Sequence, residues 1–154
     1  MSPFTYTLSQ QDLVTLAKPL AGVLRRGDVV ALWGDLGAGK TTFARVLVQA
    51  LVGEELDVPS PTFTIVQVYD SSHGEIWHCD LYRLKDADEA FELGLQDAFH
   101  EAICLVEWPE QLGNLLPHRR IDITFKIRNE TTREVHVTLV GPHEPYQSIL
   151  ETIR

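Results

Sequence analysis

Eight residues constrain this chain more than any others. Gly34-Asp35-Leu36-Gly37-Ala38-Gly39-Lys40-Thr41 has the spacing G-x-x-x-x-G-K-T. It lies between an unbroken apolar run, Asp28–Trp33, and a stretch from Lys40 to Leu51 with Phe43, Val46, Leu47, Ala50 and Leu51 on one helical face. A β-branched apolar run without alternation reads as a strand buried on both faces. A buried strand feeding a glycine-rich turn and then a helix is the context in which this spacing binds phosphate. Glycines let successive N–H groups curl inward onto an anion. The helix start adds unpaired amides and the positive end of its dipole. Lys40 reaches the β- and γ-phosphates of a nucleotide, and the Thr41 hydroxyl is a hard oxygen ligand for Mg²⁺.

The rest of the chain reads as one α/β domain, residues 1–154, with a mixed sheet. The 154 residues are 44% apolar and 23% charged, ordinary globular proportions. A helix is expected over Leu13, Leu16, Ala17, Leu20, Val23 and Leu24, capped by Ser9 and Asp12 and ended by Gly27. Pro19 inside it should bend it or cost one backbone hydrogen bond. Pro59-Ser60-Pro61 forces an extended loop. Thr62–Tyr69 and Ile76–Tyr82 are expected to form a hairpin across Ser71–Gly74. Asp86–Ala102 reads as helical with a break near Gly94, and Ile103–Val106 as a short buried strand stopped by Pro109. Arg120–Arg128 and Arg133–Val140 alternate as an antiparallel pair.

Thirteen basic against 22 acidic residues give a formal charge of −9. That balance argues against a broad nucleic-acid or anionic-membrane face. Cys79 and Cys104 have no metal-ligand spacing and read as buried reduced thiols. No run approaches the roughly 20 apolar residues of a membrane span, and no charged stretch followed by an apolar one stands at the start, so a secretory leader is not expected. A cytoplasmic protein is expected.

A nucleoside-triphosphate enzyme also needs carboxylates near the metal. Glu107 follows the Ile103–Val106 run, where an acid emerges at the carboxyl edge of a parallel sheet. Asp80 on the preceding strand is the second candidate, and the sequence leaves open which of the two orients water. Thr62 stands roughly where phosphate-loop proteins carry a switch segment. His78 is either a base or a strand histidine with a structural partner. Arg83 either supports charge in the transition state or forms a plain ion pair. GTPases commonly read guanine through N-K-x-D, which this sequence lacks, so ATP is favoured. No arginine-rich lid of the kind small-molecule kinases use follows the loop. Such a kinase, or a nucleotide-gated binding module without significant catalysis, stands as the alternative.

Four blocks taken together carry a resemblance: Gly34–Thr42, Ser60-Pro-Thr-Phe63, His78-Cys-Asp-Leu-Tyr-Arg83 and Val106-Glu-Trp-Pro-Glu110. In residues, order and spacing they resemble the TsaE family, the bacterial ATPase of tRNA threonylcarbamoyladenosine biosynthesis. The resemblance implies a P-loop NTPase-like fold, a mixed and mostly central sheet flanked by helices. It implies a Mg²⁺-dependent ATPase, slow alone, that supports turnover by TsaD and TsaB and meets tRNA only through them. Carried over, Leu36, Gly37, Ala38, Gly39, Lys40, Thr41 and Thr42 hold phosphate, with Thr41 and Glu107 on Mg²⁺. Thr62 matches the switch threonine, and Asp80 and Trp108 match positions expected to matter for hydrolysis or coupling. Gln10 and Arg133 match adenine contacts. Trp108 belongs either to a partner surface or to the core.

Overall fold

In a computed structural model, residues 4–53, 58–59, 65–141 and 144–153 are described. The strands are β1 (Phe4–Ser9), β2 (Val29–Trp33), β3 (Val66–Tyr69), β4 (Ile76–Asp80), β5 (Ile103–Glu107), β6 (Arg120–Ile127) and β7 (Thr132–Val140). The helices are α1 (Leu13–Val23), α2 (Lys40–Val52), α3 (Ala87–Glu92), α4 (Leu95–Glu101) and α5 (Glu144–Thr152), with a 3₁₀ segment at Pro109–Leu115. The described strands make one seven-stranded sheet in the order β1-β7-β6-β2-β5-β4-β3.

The apolar run of β2 makes it the central strand. It pairs in parallel with β5 on one side and β6 on the other, and β4 pairs in parallel with β5. The β3–β4, β6–β7 and β1–β7 pairs are antiparallel, as hairpin-length or edge connections allow. Alternate residues of β2 enter two cores. Val30 and Leu32 pack on one face with Leu16 and Leu20 of α1 and Phe43 and Leu47 of α2. Val29 and Ala31 pack on the other with Ala90 of α3 and Leu95, Ala98 and Phe99 of α4.

The expected elements between residues 13 and 140 are present, with shifted ends. β4 stops at Asp80 rather than Tyr82, and β5 extends through Glu107. The expected hairpin is there, its first strand described from Val66. Thr62 and the rest of Ser60–Phe63 lie outside the described residues. Gly94 breaks α3 from α4 with φ of 91°. Gly27 does not end α1. The helix stops at Val23, where Leu24 turns extended, and Gly27 (φ 92°) instead donates its N–H to the Ala102 carbonyl at 2.9 Å. Ser9 and Asp12 exchange reciprocal bonds at 3.2 and 3.3 Å in the turn before α1, but Asp12, the N-cap residue, makes no side-chain bond to the helix amides. α1 runs on past Pro19, whose missing N–H leaves one helical hydrogen bond unmade. Both cysteines are free and buried. Burial pushes the Cys104 thiol up to about 12 and that of Cys79 well above its ordinary value, so neither ionises readily.

Besides the 3₁₀ segment, two elements were not expected. β1 alternates, with Tyr6 and Leu8 facing the core, and caps the far edge of the sheet against β7. α5 docks on α1 through Leu150 and Tyr146, and the Tyr6 hydroxyl donates to the Leu150 carbonyl at 2.8 Å. The Tyr146 hydroxyl donates to the buried carboxylate of Asp28, which also accepts from the Arg25 N–H and from Arg119, each at 2.8 Å. Burial and this bond push the Tyr146 phenol above its usual range. Tyr146→Phe removes a bond to a charged acceptor and should cost about 1–3 kcal/mol of unfolding free energy. Denaturant melts measure this, and an unchanged midpoint would mean that apolar packing alone holds α5.

Candidate functional site

Parallel pairing brings the carboxyl ends of β2, β4 and β5 to one edge of the sheet, with Leu32 and Asp80 both opposite Glu107 in register. Open α/β sheets bind ligands at this edge. A cavity of about 1000 Å³ lies there, roofed by the turn after β1 and by the β6–β7 hairpin. Its walls include Gln10, Leu36, Gly37, Gly39, Lys40, Thr41, Thr42, Asp80, Glu107 and Arg133, all expected from the sequence.

The turn from β2 to α2 can only be made here with glycine. Gly34 has φ of 144°, and a Cβ on it would stand 2.7 Å from the Phe125 carbonyl of β6. A side chain would push β6 away from the central strand. Gly39, at φ 112°, is the left-handed residue from which α2 starts.

Four ionisable groups are buried around that start: Lys40, His78, Asp80 and Glu107. Glu107 ends β5 at 1% exposure. Its Oε1 accepts from the Thr41 hydroxyl at 2.5 Å, and its Oε2 lies 2.6 Å from His78 Nε2. The Lys40 ammonium donates to the Gly34 carbonyl and sits 3.2 Å from the centre of the Trp108 ring, a cation–π contact. Burial lowers the Lys40 pKa, opposed by the negative charge of Glu107, Glu110, Asp80 and Asp35. Asp80 takes the Tyr82 N–H on Oδ1 at 3.0 Å, and its own N–H donates to the Ile65 carbonyl at 2.8 Å.

Trp108 reaches Lys40 because its backbone is left-handed, φ 58°, an uncommon state for a bulky residue. Tyr82 packs against it with the rings tilted, centres 4.9 Å apart. Of the two alternatives the core is the one seen: Trp108 is half-buried against the α3–α4 core, and it also lines the cavity. Arg133 donates to the Ala38 carbonyl at 3.0 Å and the Gly37 carbonyl at 3.4 Å, tying the hairpin to the glycine loop. Ala38 itself is buried beneath the loop. Arg83 is exposed and is not among the cavity-lining residues. Sequence reasoning passed over Tyr82 and Phe125 as lining residues and left His78 undecided. For His78 a signal existed: it precedes Asp80 by two on a strand, hence shares its face.

Comparison with known proteins agrees with this geometry. Residues 7–135 match the family described as "Threonylcarbamoyl adenosine biosynthesis protein TsaE". Among proteins named tRNA threonylcarbamoyladenosine biosynthesis protein TsaE, that of Rickettsia bellii is 39% identical over 130 residues, spanning 84% of this chain and 90% of its own. The Bacillus subtilis protein of that name is 40% identical over 136 residues, 88% of this chain and 84% of its own. The chain belongs to the TsaE family. The crystal structure of Bacillus subtilis YdiB superposes with a TM-score of 0.79 at 32% identity, covering 99% of this chain and 95% of that one. The expected P-loop fold, a mixed sheet flanked by helices, is thus the fold of this TsaE-family chain. The family match takes in the whole cavity and stops short of α5. Among the described residues, no helix is long and apolar enough to cross a membrane.

The lowered Lys40 pKa has a sign that can be measured. Between the folded value and the ordinary 10.5, the unfolded chain holds a proton that the fold has shed, so stability rises with pH across that window. Relative to Lys40→Met, the parent should gain stability as pH rises toward 10.5. Paired denaturant melts measure it, and a relative loss would mean that the ammonium is favoured by the fold.

Proposed function

We propose that this chain binds ATP with Mg²⁺ in the cavity and hydrolyses it as an accessory subunit for threonylcarbamoyladenosine modification of tRNA. It would act with the TsaD and TsaB proteins and meet tRNA only through them. The observation that carries the reading is the contact of Thr41 with Glu107 at the start of α2, beside Lys40.

The donor chemistry fits the metal. A hydroxyl and a carboxylate are hard oxygens, and Mg²⁺ is commonly held by one or two such groups together with substrate phosphates and water. A larger cage is not needed, and among the described residues no group of three or more His, Cys, Asp or Glu forms one. The loop leaves room for the phosphates, for nothing lies within 4 Å of where a Cβ on Gly37 would stand. When bound, Mg²⁺ neutralises charge on the phosphate oxygens.

Each residue of the chain then has a task. The amides from Leu36 to Thr42 and the positive end of α2 bind phosphate. Lys40 supplies the nearest buried cation, and Thr41 and Glu107 hold the metal. Asp80 and Glu107 are the two carboxylates able to orient the attacking water. Thr62, carried over by family, senses the γ-phosphate. Gln10 and Arg133 flank the cavity on the side away from the acids and are assigned to the adenine. Arg133 also keeps the loop curled through the Gly37 and Ala38 carbonyls.

Lys40 contacts the Gly34 carbonyl and Trp108, and Thr41 contacts Glu107. Hydrolysis by the isolated chain is expected to be slow. Turnover should rise when TsaD and TsaB are added, and equal rates with and without them would remove the coupling.

Lys40→Ala should weaken ATP binding about 10–100-fold, the range expected for losing a charge-assisted hydrogen bond. Glu107→Ala should cut Mg²⁺-dependent hydrolysis about 100-fold or more while nucleotide still binds. Calorimetry and phosphate release separate the two effects. ATP consumed with phosphate appearing on a metabolite would support a kinase instead, and tight binding with zero turnover alongside the partners would support a binding module.

A further inference from the structure

His78 is fully buried, at 0% exposure, on the strand beside the one that ends in Glu107. β4 turns Ile76, His78 and Asp80 toward one face, and β5 turns Ile103, Leu105 and Glu107 toward the same face. Ile76, Ile103 and Leu105 pack in the core that holds α1 and α2, so the polar ends of both rows point at the start of α2. His78 lies opposite Leu105 in register, one diagonal step from Glu107, and that step brings Nε2 to 2.6 Å from Oε2.

An ionised carboxylate only accepts, so Nε2 carries the proton and donates. Among the described residues Nδ1 finds no hydrogen-bond partner, which leaves the contact with Glu107 as the ring's polar anchor. With Oε2 occupied by His78, Oε1 is the oxygen left facing Thr41. A carboxylate at the end of a strand can rotate about its terminal torsion, which is broad and roughly two-fold. The histidine removes that freedom.

We propose that His78 is a positioning residue: its Nε2–H fixes the Glu107 carboxylate so that Oε1 and the Thr41 hydroxyl are presented together as a preformed Mg²⁺ site. The inference rests on the Mg²⁺–ATP reading above and adds a residue to it. Hydrogen-bond partners of metal ligands typically matter 10–100-fold in metal affinity or activity.

The test uses the full chain and three variants. His78→Gln can return an amide N–H to the position of Nε2. His78→Asn has a similar amide too short to reach Glu107, and His78→Leu removes the donor. Calorimetry with a non-hydrolysable ATP analogue is run with Mg²⁺ and again with excess EDTA, and hydrolysis is titrated with Mg²⁺. All three variants should bind the analogue in EDTA within about twofold of the parent. His78→Leu and His78→Asn should lose about 10–100-fold of the affinity that Mg²⁺ adds, with a matching rise in half-saturating Mg²⁺. His78→Gln should recover most of it.

Should His78→Leu fail to fold, the Gln and Asn pair decides. An unchanged Mg²⁺ gain in His78→Asn, or a His78→Gln no better than His78→Asn, would overturn the assignment. So would equal losses with and without Mg²⁺, which mark a purely structural residue. Failure of the underlying reading looks different, because the parent itself would then show no gain from Mg²⁺.

Discussion

The Glu107 carboxylate ties the sheet to the helix that follows the glycine loop. One oxygen takes the hydroxyl of Thr41 on α2, and the other faces His78 on β4. Three segments separated by 29 and 66 residues in sequence therefore meet on two oxygen atoms. The backbone supports the same junction, since the Leu81 N–H donates to the Glu107 carbonyl at 3.1 Å. Shift β5 by one residue and Glu107 would face the α3–α4 core, because side chains along a strand alternate. The parallel register between β2, β5 and β4 is thus the constraint on which the cavity rests.

Placing these groups together is costly. Lys40, His78, Asp80 and Glu107 are all withdrawn from water at one end of a fold whose two cores are otherwise apolar. Burial of charge is tolerated where partners satisfy it. Glu107 has Thr41 and His78, Lys40 has the Gly34 carbonyl and the face of Trp108, and Asp80 has the Tyr82 amide. Burial lowers the Lys40 pKa against the pull of the nearby carboxylates. The two non-glycine residues with positive φ among those described, Ile65 and Trp108, also lie here, each bonded to or touching a cavity residue. Buried charge and unusual backbone gathered in one place are a mark of function rather than of folding.

The other end of the sheet is held differently. Asp28, at the start of β2, is buried with Tyr146, Arg119 and the Arg25 amide around it. That cluster anchors α5 and the turn into the central strand, and it lies at the opposite end of β2 from the cavity.

Much of this was legible in the residues because its causes are local. A glycine-rich turn between an apolar run and an amphipathic stretch fixes β2, the loop and α2 together, and the β6–β7 hairpin follows from alternation around Asn129–Thr132. β1 and α5 were missed because each is short. Six alternating residues, or Tyr146 and Leu150 spaced four apart, are weak periodic signals until neighbours cover them. The sequence by itself determined that a glycine-rich turn joins β2 to α2 and which residue types line it. Only the tertiary structure decided that His78 reaches Glu107, that Arg133 braces the loop and that Trp108 lies over Lys40. Hydrophobic pattern says which face of a strand is buried, but not which strand lies beside it or in what register. Those are set by contacts between segments far apart in the chain.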